Sequence, residues 1–185
     1  MASRSKQEAG KIEDIPTLQA DCSRCAALCC VAYAFDRSQG FAIDKPNGVP
    51  CPHLEGVSRC RIYPQREEMG FGACAQYDCH GAGQRVTQEV FDGKSWREEP
   101  QLLPRMVDAL ISMRTVHELI LLLNEARAVP LTRRDRLIHR VLMARLVPAG
   151  GWSEEGLLEL RKGKLERCVR RFLKSLRRYF ADIPA

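Results

Sequence analysis

From about residue 101 to the C-terminus, apolar residues recur at intervals of three and four, the period of an amphipathic helix laid against a core. Three helices are predicted there. The first spans about Pro104 to Ala128, buries Met106, Leu110, Met113, Leu119, Ile120 and Leu123, and stops ahead of Pro130. The second takes Thr132 as its N-cap and ends near Val147, before Pro148 and the Gly150-Gly151 pair. The third takes Ser153 as N-cap and runs to about Phe180, with Leu158, Leu165, Val169, Phe172, Leu176 and Tyr179 inward and Gly163 as a weak point. Between about 17 and 100 the pattern is different. Periodic apolar runs are few and breakers such as Gly40, Pro46, Gly48, Pro50 and Pro52 are frequent, so this segment reads as loop-rich and in need of cross-links. Helical stretches are predicted there over Leu18 to Ala34 and Gln65 to Met69, and the Asp92-Gly93 pair between Val90 and Trp96 suggests a hairpin turn.

The expected fold class is mainly α, a small irregular cysteine-rich metal-binding module joined to a C-terminal helical bundle. The expected division is a disordered tail over 1–16, the cysteine module over 17–100 and the amphipathic helices over 101–185. With 185 residues, 45% of them hydrophobic, the chain suits one domain or two small ones and excludes a large multidomain enzyme. No apolar run approaches the roughly 18 residues of a membrane-spanning helix, and the polar start of the chain does not resemble a secretory signal. A cytoplasmic location is therefore expected.

Charge adds an asymmetry. The net charge is +6, yet Arg161 to Arg178 contains nine Lys or Arg against the single acid Glu166, which leaves the rest of the chain slightly negative. Attraction to a nucleic acid or an anionic surface would belong to this last helix, although a basic helix face is more often simply solvated. A protein partner of unspecified identity is also expected.

Cysteine is the most informative residue. Eight of the nine (Cys22, Cys25, Cys29, Cys30, Cys51, Cys60, Cys74 and Cys79) fall within 58 residues, and only Cys168 stands apart. In a reducing compartment such crowding points to metal ligation rather than to disulfides. On a helix, positions 22, 25 and 29 would share one face within about 60°, as a common metal or cluster requires. Soft thiolates suit both zinc and iron–sulfur clusters, and each site ordinarily takes four ligands. Eight thiols would serve two four-thiolate sites, or one cluster with spares. The paired CxxC motifs of zinc ribbons are missing and adjacent Cys29 and Cys30 crowd a single tetrahedral ion, which favours an iron–sulfur cluster over zinc. Cys168, among apolar positions of the last helix, reads as a buried inert thiol.

At these residues the chain resembles the YkgJ-type CxxCxxCC cysteine-cluster family, a zinc- or iron-chelating domain. The resemblance covers about residues 20 to 80. It rests on Cys22, Cys25, Cys29 and Cys30, then Cys51-Pro52-His53-Leu54, then Cys60-Arg61-Ile62-Tyr63 with Arg66, and finally Cys74, Tyr77 and Cys79. Three residues separate Cys25 from Cys29 where that family usually has two, and Glu67 replaces its proline. The segment is also similar to the cysteine-rich N-terminal region of some actinobacterial pentapeptide-repeat proteins, notably over Cys79 to Gln84, though no such repeats follow. The resemblance implies metal chelation by the eight clustered cysteines. The family includes an iron–sulfur domain attached to flagellin lysine methylases.

His53 and His80 lie close to cysteines but are more simply read as loop histidines bonded to carbonyls, and Gly81-Ala82-Gly83 as a turn rather than a phosphate loop. No Ser/His/Asp set or paired carboxylates can be recognised, so an enzyme reading lacks a nucleophile. The expectation is a metal-binding protein that holds an iron–sulfur cluster with a redox, metal-handling or assembly role. Its rivals are a structural zinc module whose basic helix binds a polyanion, and a cluster-containing transferase that modifies a protein.

Overall fold

The computed structural model describes residues 16–56 and 58–180. The predicted tail falls almost wholly outside these. The architecture is mainly helical, an irregular N-terminal region against a C-terminal helical bundle. Among the described residues no helix is long and apolar enough to cross a membrane.

The bundle follows the apolar periodicity closely. Helix α4 spans Leu103–Glu125 and runs on into a 3₁₀ turn over Ala126–Ala128. Its Met106, Leu110, Met113, Leu119, Ile120 and Leu123 are all buried. Helix α5, Arg133–Leu146, opens on Thr132, whose hydroxyl accepts from the Asp135 amide at 3.2 Å. The predicted third helix is two. Ser153 caps α6, Glu154–Lys162, and α7 begins anew at Leu165 and ends at Ser175. Gly163 lies between them in extended backbone, where its amide closes α6 on the Glu159 carbonyl. Because the break resets the helical phase, Leu157 points into the core and Leu158 is 45% exposed. Cys168 is likewise exposed: Leu165, Val169, Phe172 and Leu176 occupy the inward stripe of α7, and Cys168 stands on its flank.

The N-terminal region departs further from expectation. In place of one helix over Leu18 to Ala34 there is a 3₁₀ turn at Cys22–Arg24 and a short helix α1, Leu28–Ala32. Ala27 separates them in the left-handed conformation, φ 55°, which costs an L-residue about 1 kcal/mol and stops a helix from propagating through it. Around Tyr63–Gln65 the chain forms a 3₁₀ turn rather than a helix to Met69. The only strands among the described residues are β1, Leu54–Glu55, and β2, Arg59–Cys60, an antiparallel pair with Leu54 opposite Cys60. Two more short helices follow, α2 at Gly72–Gln76 and α3 at Ala82–Arg85, and α3 widens into a π-turn over Val86–Val90. The Asp92-Gly93 pair does turn the chain, with both residues at positive φ, but it joins helical segments instead of strands.

Two apolar clusters organise these elements. The larger combines Leu28, Val31, Ala82 and Val86 with Met106, Leu110, Met113 and the rest of the bundle. The smaller consists of Phe35, Cys51, Ile62 and Phe71, with Cys30, Cys60 and Cys74 against it. The functional candidates lie where these two clusters meet.

Candidate metal centre

A cavity of about 360 Å³ lies between the clusters, and all eight N-terminal cysteines line it. They arrive from different elements. Cys22 and Cys25 come from the first 3₁₀ turn and its end, Cys29 and Cys30 from α1, Cys51 from the loop before β1, Cys60 from β2, Cys74 from α2, and Cys79 from the turn before α3. The helical face proposed for 22, 25 and 29 is therefore not what unites them, since Ala27 interrupts it. All are free thiols.

Specific bonds fix the irregular walls. The segment 19–26 is clamped by α3 and the π-turn: the Gln84 side chain donates to the Gln19 carbonyl at 3.1 Å, and Gln88 to the Arg24 carbonyl at 2.8 Å. Thr87 accepts from the Ala26 amide at 3.0 Å, and the buried Trp96 indole donates to the Ala26 carbonyl at 2.8 Å. On the far wall, Cys51 is tied to α1 through its amide and the Cys30 carbonyl, 3.0 Å. Arg66 spans Tyr63 and α2, donating to the Tyr63 carbonyl at 2.8 Å and the Cys74 carbonyl at 3.0 Å.

Two features fit a sulfur-bound, anionic group. At Gly83 a Cβ would stand 2.7 Å from the Cys25 sulfur, so glycine is what lets α3 approach that thiol. The second feature is Lys45, only 4% exposed. Its three ammonium hydrogens are spent on the carbonyls of Tyr33, Pro46 and Val49 at 2.6, 3.0 and 2.7 Å, and it stands 4.6 Å from the Phe35 ring centre. Burial lowers its pKa, and the opposing influences are the thiols of Cys51, Cys30 and Cys74 rather than any carboxylate. A buried cation beside these sulfurs favours their deprotonated form.

Burial makes five of the thiols weaker acids. It pushes Cys25 and Cys74 up to about 11, and raises Cys22, Cys51 and Cys60 as well. Cys29 and Cys30 split. The Cys29 thiol hydrogen-bonds to Cys30, which keeps Cys29 protonated and lowers Cys30, aided by Lys45 and Arg66. Tyr77 donates to the Tyr33 hydroxyl at 3.2 Å on the same wall, under the Arg114 guanidinium, and burial raises its pKa strongly.

Among the described residues no three His, Cys, Asp or Glu side chains converge tightly enough to hold one metal ion. Four thiolates around one zinc, at about 2.3 Å from it, would stand only about 3.8 Å from each other. In a polynuclear iron–sulfur cluster the ligands sit on different irons and stand further apart. The histidines near the cysteines are engaged elsewhere. His53 meets Arg61 at 3.2 Å and packs edge-on to Phe71, and His80 lies 3.5 Å from the Asp78 carboxylate. Lys45, Gly83 and Arg114 carry no motif of their own in the sequence; the one cue is that Lys45 is a lone cation amid apolar and turn residues.

No family model matches the chain, and no solved structure matches it. It is similar to an uncharacterized protein of Bacillus subtilis (strain 168), YybG, with 36% identity over 143 residues. The matched stretch covers 77% of this chain and 51% of that protein, so the chain spans about half the length of its curated relative.

Proposed function

We propose that the chain is a metal-binding protein that holds an iron–sulfur cluster in its cysteine cavity, with a redox, metal-handling or assembly role. The observation that carries this reading is the convergence of eight cysteines from six separate elements and loops on one cavity. Nothing in the packing of an ordinary core requires eight thiols at one place. The resemblance of residues 20–80 to the YkgJ-type family adds to this reading, as do the buried ammonium of Lys45 and the close approach at Gly83. The cysteines would supply the thiolates, Lys45 and Arg66 would offset their charge, and Phe35, Phe41 and Phe71 would keep water from one side. When bound, such a cluster supplies one-electron transfer or a store of iron and sulfide. The free thiols fit a reducing compartment such as the cytoplasm.

Reconstitution under anaerobic conditions with ferrous iron and sulfide tests the site. The wild type and Cys168→Ala should develop the same visible absorbance, while a variant with all eight cavity cysteines changed to Ala should stay colourless. Equal colour in all three would contradict the assignment.

A polyanion remains the candidate partner of the basic helix. Arg161, Arg170 and Arg178 form ion pairs with Asp108, Glu166 and Asp135, but Lys162, Lys164, Arg167, Arg171, Lys174 and Arg177 are exposed.

A further inference from the structure

We propose that the cavity contains two four-thiolate centres side by side rather than one cluster with four spare thiols. The first is Cys22, Cys25, Cys29 and Cys79; the second is Cys30, Cys51, Cys60 and Cys74. This rests on the reading that the cavity binds a thiolate-ligated cluster, and goes beyond it by assigning a second site.

The division follows the packing. Cys25 and Cys79 lie against the large core, whereas Cys51 belongs to the small aromatic cluster with Cys30, Cys60 and Cys74 around it. The backbone connections divide in the same way. Cys22 and Cys25 sit on the first 3₁₀ turn and its end, beside which Gln84 of α3 holds the Gln19 carbonyl and the Ala82 amide of α3 holds the Cys79 carbonyl. Cys29 falls to this set because Cys30 packs with the other. Each set thus has the four ligands that a Cys₄ cluster takes. The seam is the single peptide bond between Cys29 and Cys30. Adjacent residues on α1 crowd one small site, but here they serve two, one from each side of the same helical turn. The surroundings differ as well. The second set has Lys45 and Arg66 beside it, and the first has Gly83 pressed against Cys25. The second centre is accordingly the better charge-balanced of the two.

The test compares reconstituted wild type with two double variants, Cys25→Ala/Cys79→Ala and Cys51→Ala/Cys74→Ala. Iron and acid-labile sulfide are measured per chain, and helical circular dichroism checks the fold. Each variant should retain about half the wild-type iron. A single cluster with spares predicts instead that each variant either keeps all of the iron or loses all of it, and either result would overturn the proposal. Should a variant fail to fold, the reduced wild type decides alone: two neighbouring paramagnetic centres give a spin-coupled electron paramagnetic resonance spectrum, and an uncoupled signal from every spin would refute the second site. Wild type without iron would instead remove the underlying reading, and with it both centres.

Discussion

At the scale of single residues, the site depends on contacts with little tolerance. Gly83 has no room for a methyl group, because the Cys25 sulfur already occupies that space at 2.7 Å from where a Cβ would stand. Gly83→Ala must therefore displace Cys25 or shift α3, at an overpacking cost of about 1–3 kcal/mol. Its reconstituted iron content should fall by at least about half while the bundle keeps its helical signal. Unchanged iron would show that Cys25 is not a ligand. His117 offers a separate prediction. It is fully buried in α4, its Nδ1–H donates to the His80 carbonyl at 2.6 Å, and Nε2 has no partner. Burial lowers its pKa from 6.5 to about 4. Above pH 6.5 both folded and unfolded chains carry a neutral ring. As the pH falls from there toward 4, the unfolded chain takes up a proton that the folded one refuses, so up to about 3 kcal/mol of stability is lost across that window. Nuclear magnetic resonance of the imidazole should find it neutral at pH 5. Titration near 6.5 would mean that the ring is not held in this way.

At the scale of elements, α7 presents a narrow apolar stripe and a broad basic surface. If that surface binds a polyanion, changing Arg167, Arg171, Lys174 and Arg177 to Glu should abolish a salt-sensitive association measured with a nucleic-acid duplex or anionic vesicles, and leave the iron content intact. Association that is equal in the variant would assign these residues to solvation alone. The same helix shows what was legible in the sequence. Helices α4 and α5 could be read to within a few residues, since long apolar periodicity with a Thr132 cap or a following Pro130 leaves few alternatives. The break at Gly163 was legible only as a weakness. The stripe from Leu158 to Leu176 fits one continuous helix equally well, and the tertiary packing of Leu157 decides between them. In the cysteine region, local propensity pointed to a helix through Ala27. Hydrogen bonds to Gln84, Thr87, Gln88 and Trp96, more than sixty residues away, hold the chain in another course.

At the scale of the whole molecule, the cysteine cavity is part of the same packing problem as the bundle. Leu110 of α4 belongs to the large core and also lines the cavity, and Arg114, one turn later, lies on its wall. Composition identified all eight cysteines, but it could not give how they pack against the two apolar clusters. That depends on which sulfurs share the space of Phe35 and Phe71 and which lie against α3, and both are long-range relations. The account as a whole turns on whether this cavity carries a cluster. The direct measurement is the iron, zinc and acid-labile sulfide content of protein purified without exposure to oxygen. The account predicts a brown protein with iron and sulfide in comparable amounts and little zinc; a colourless protein with stoichiometric zinc, or one without metal whose eight thiols are paired as disulfides, would contradict it.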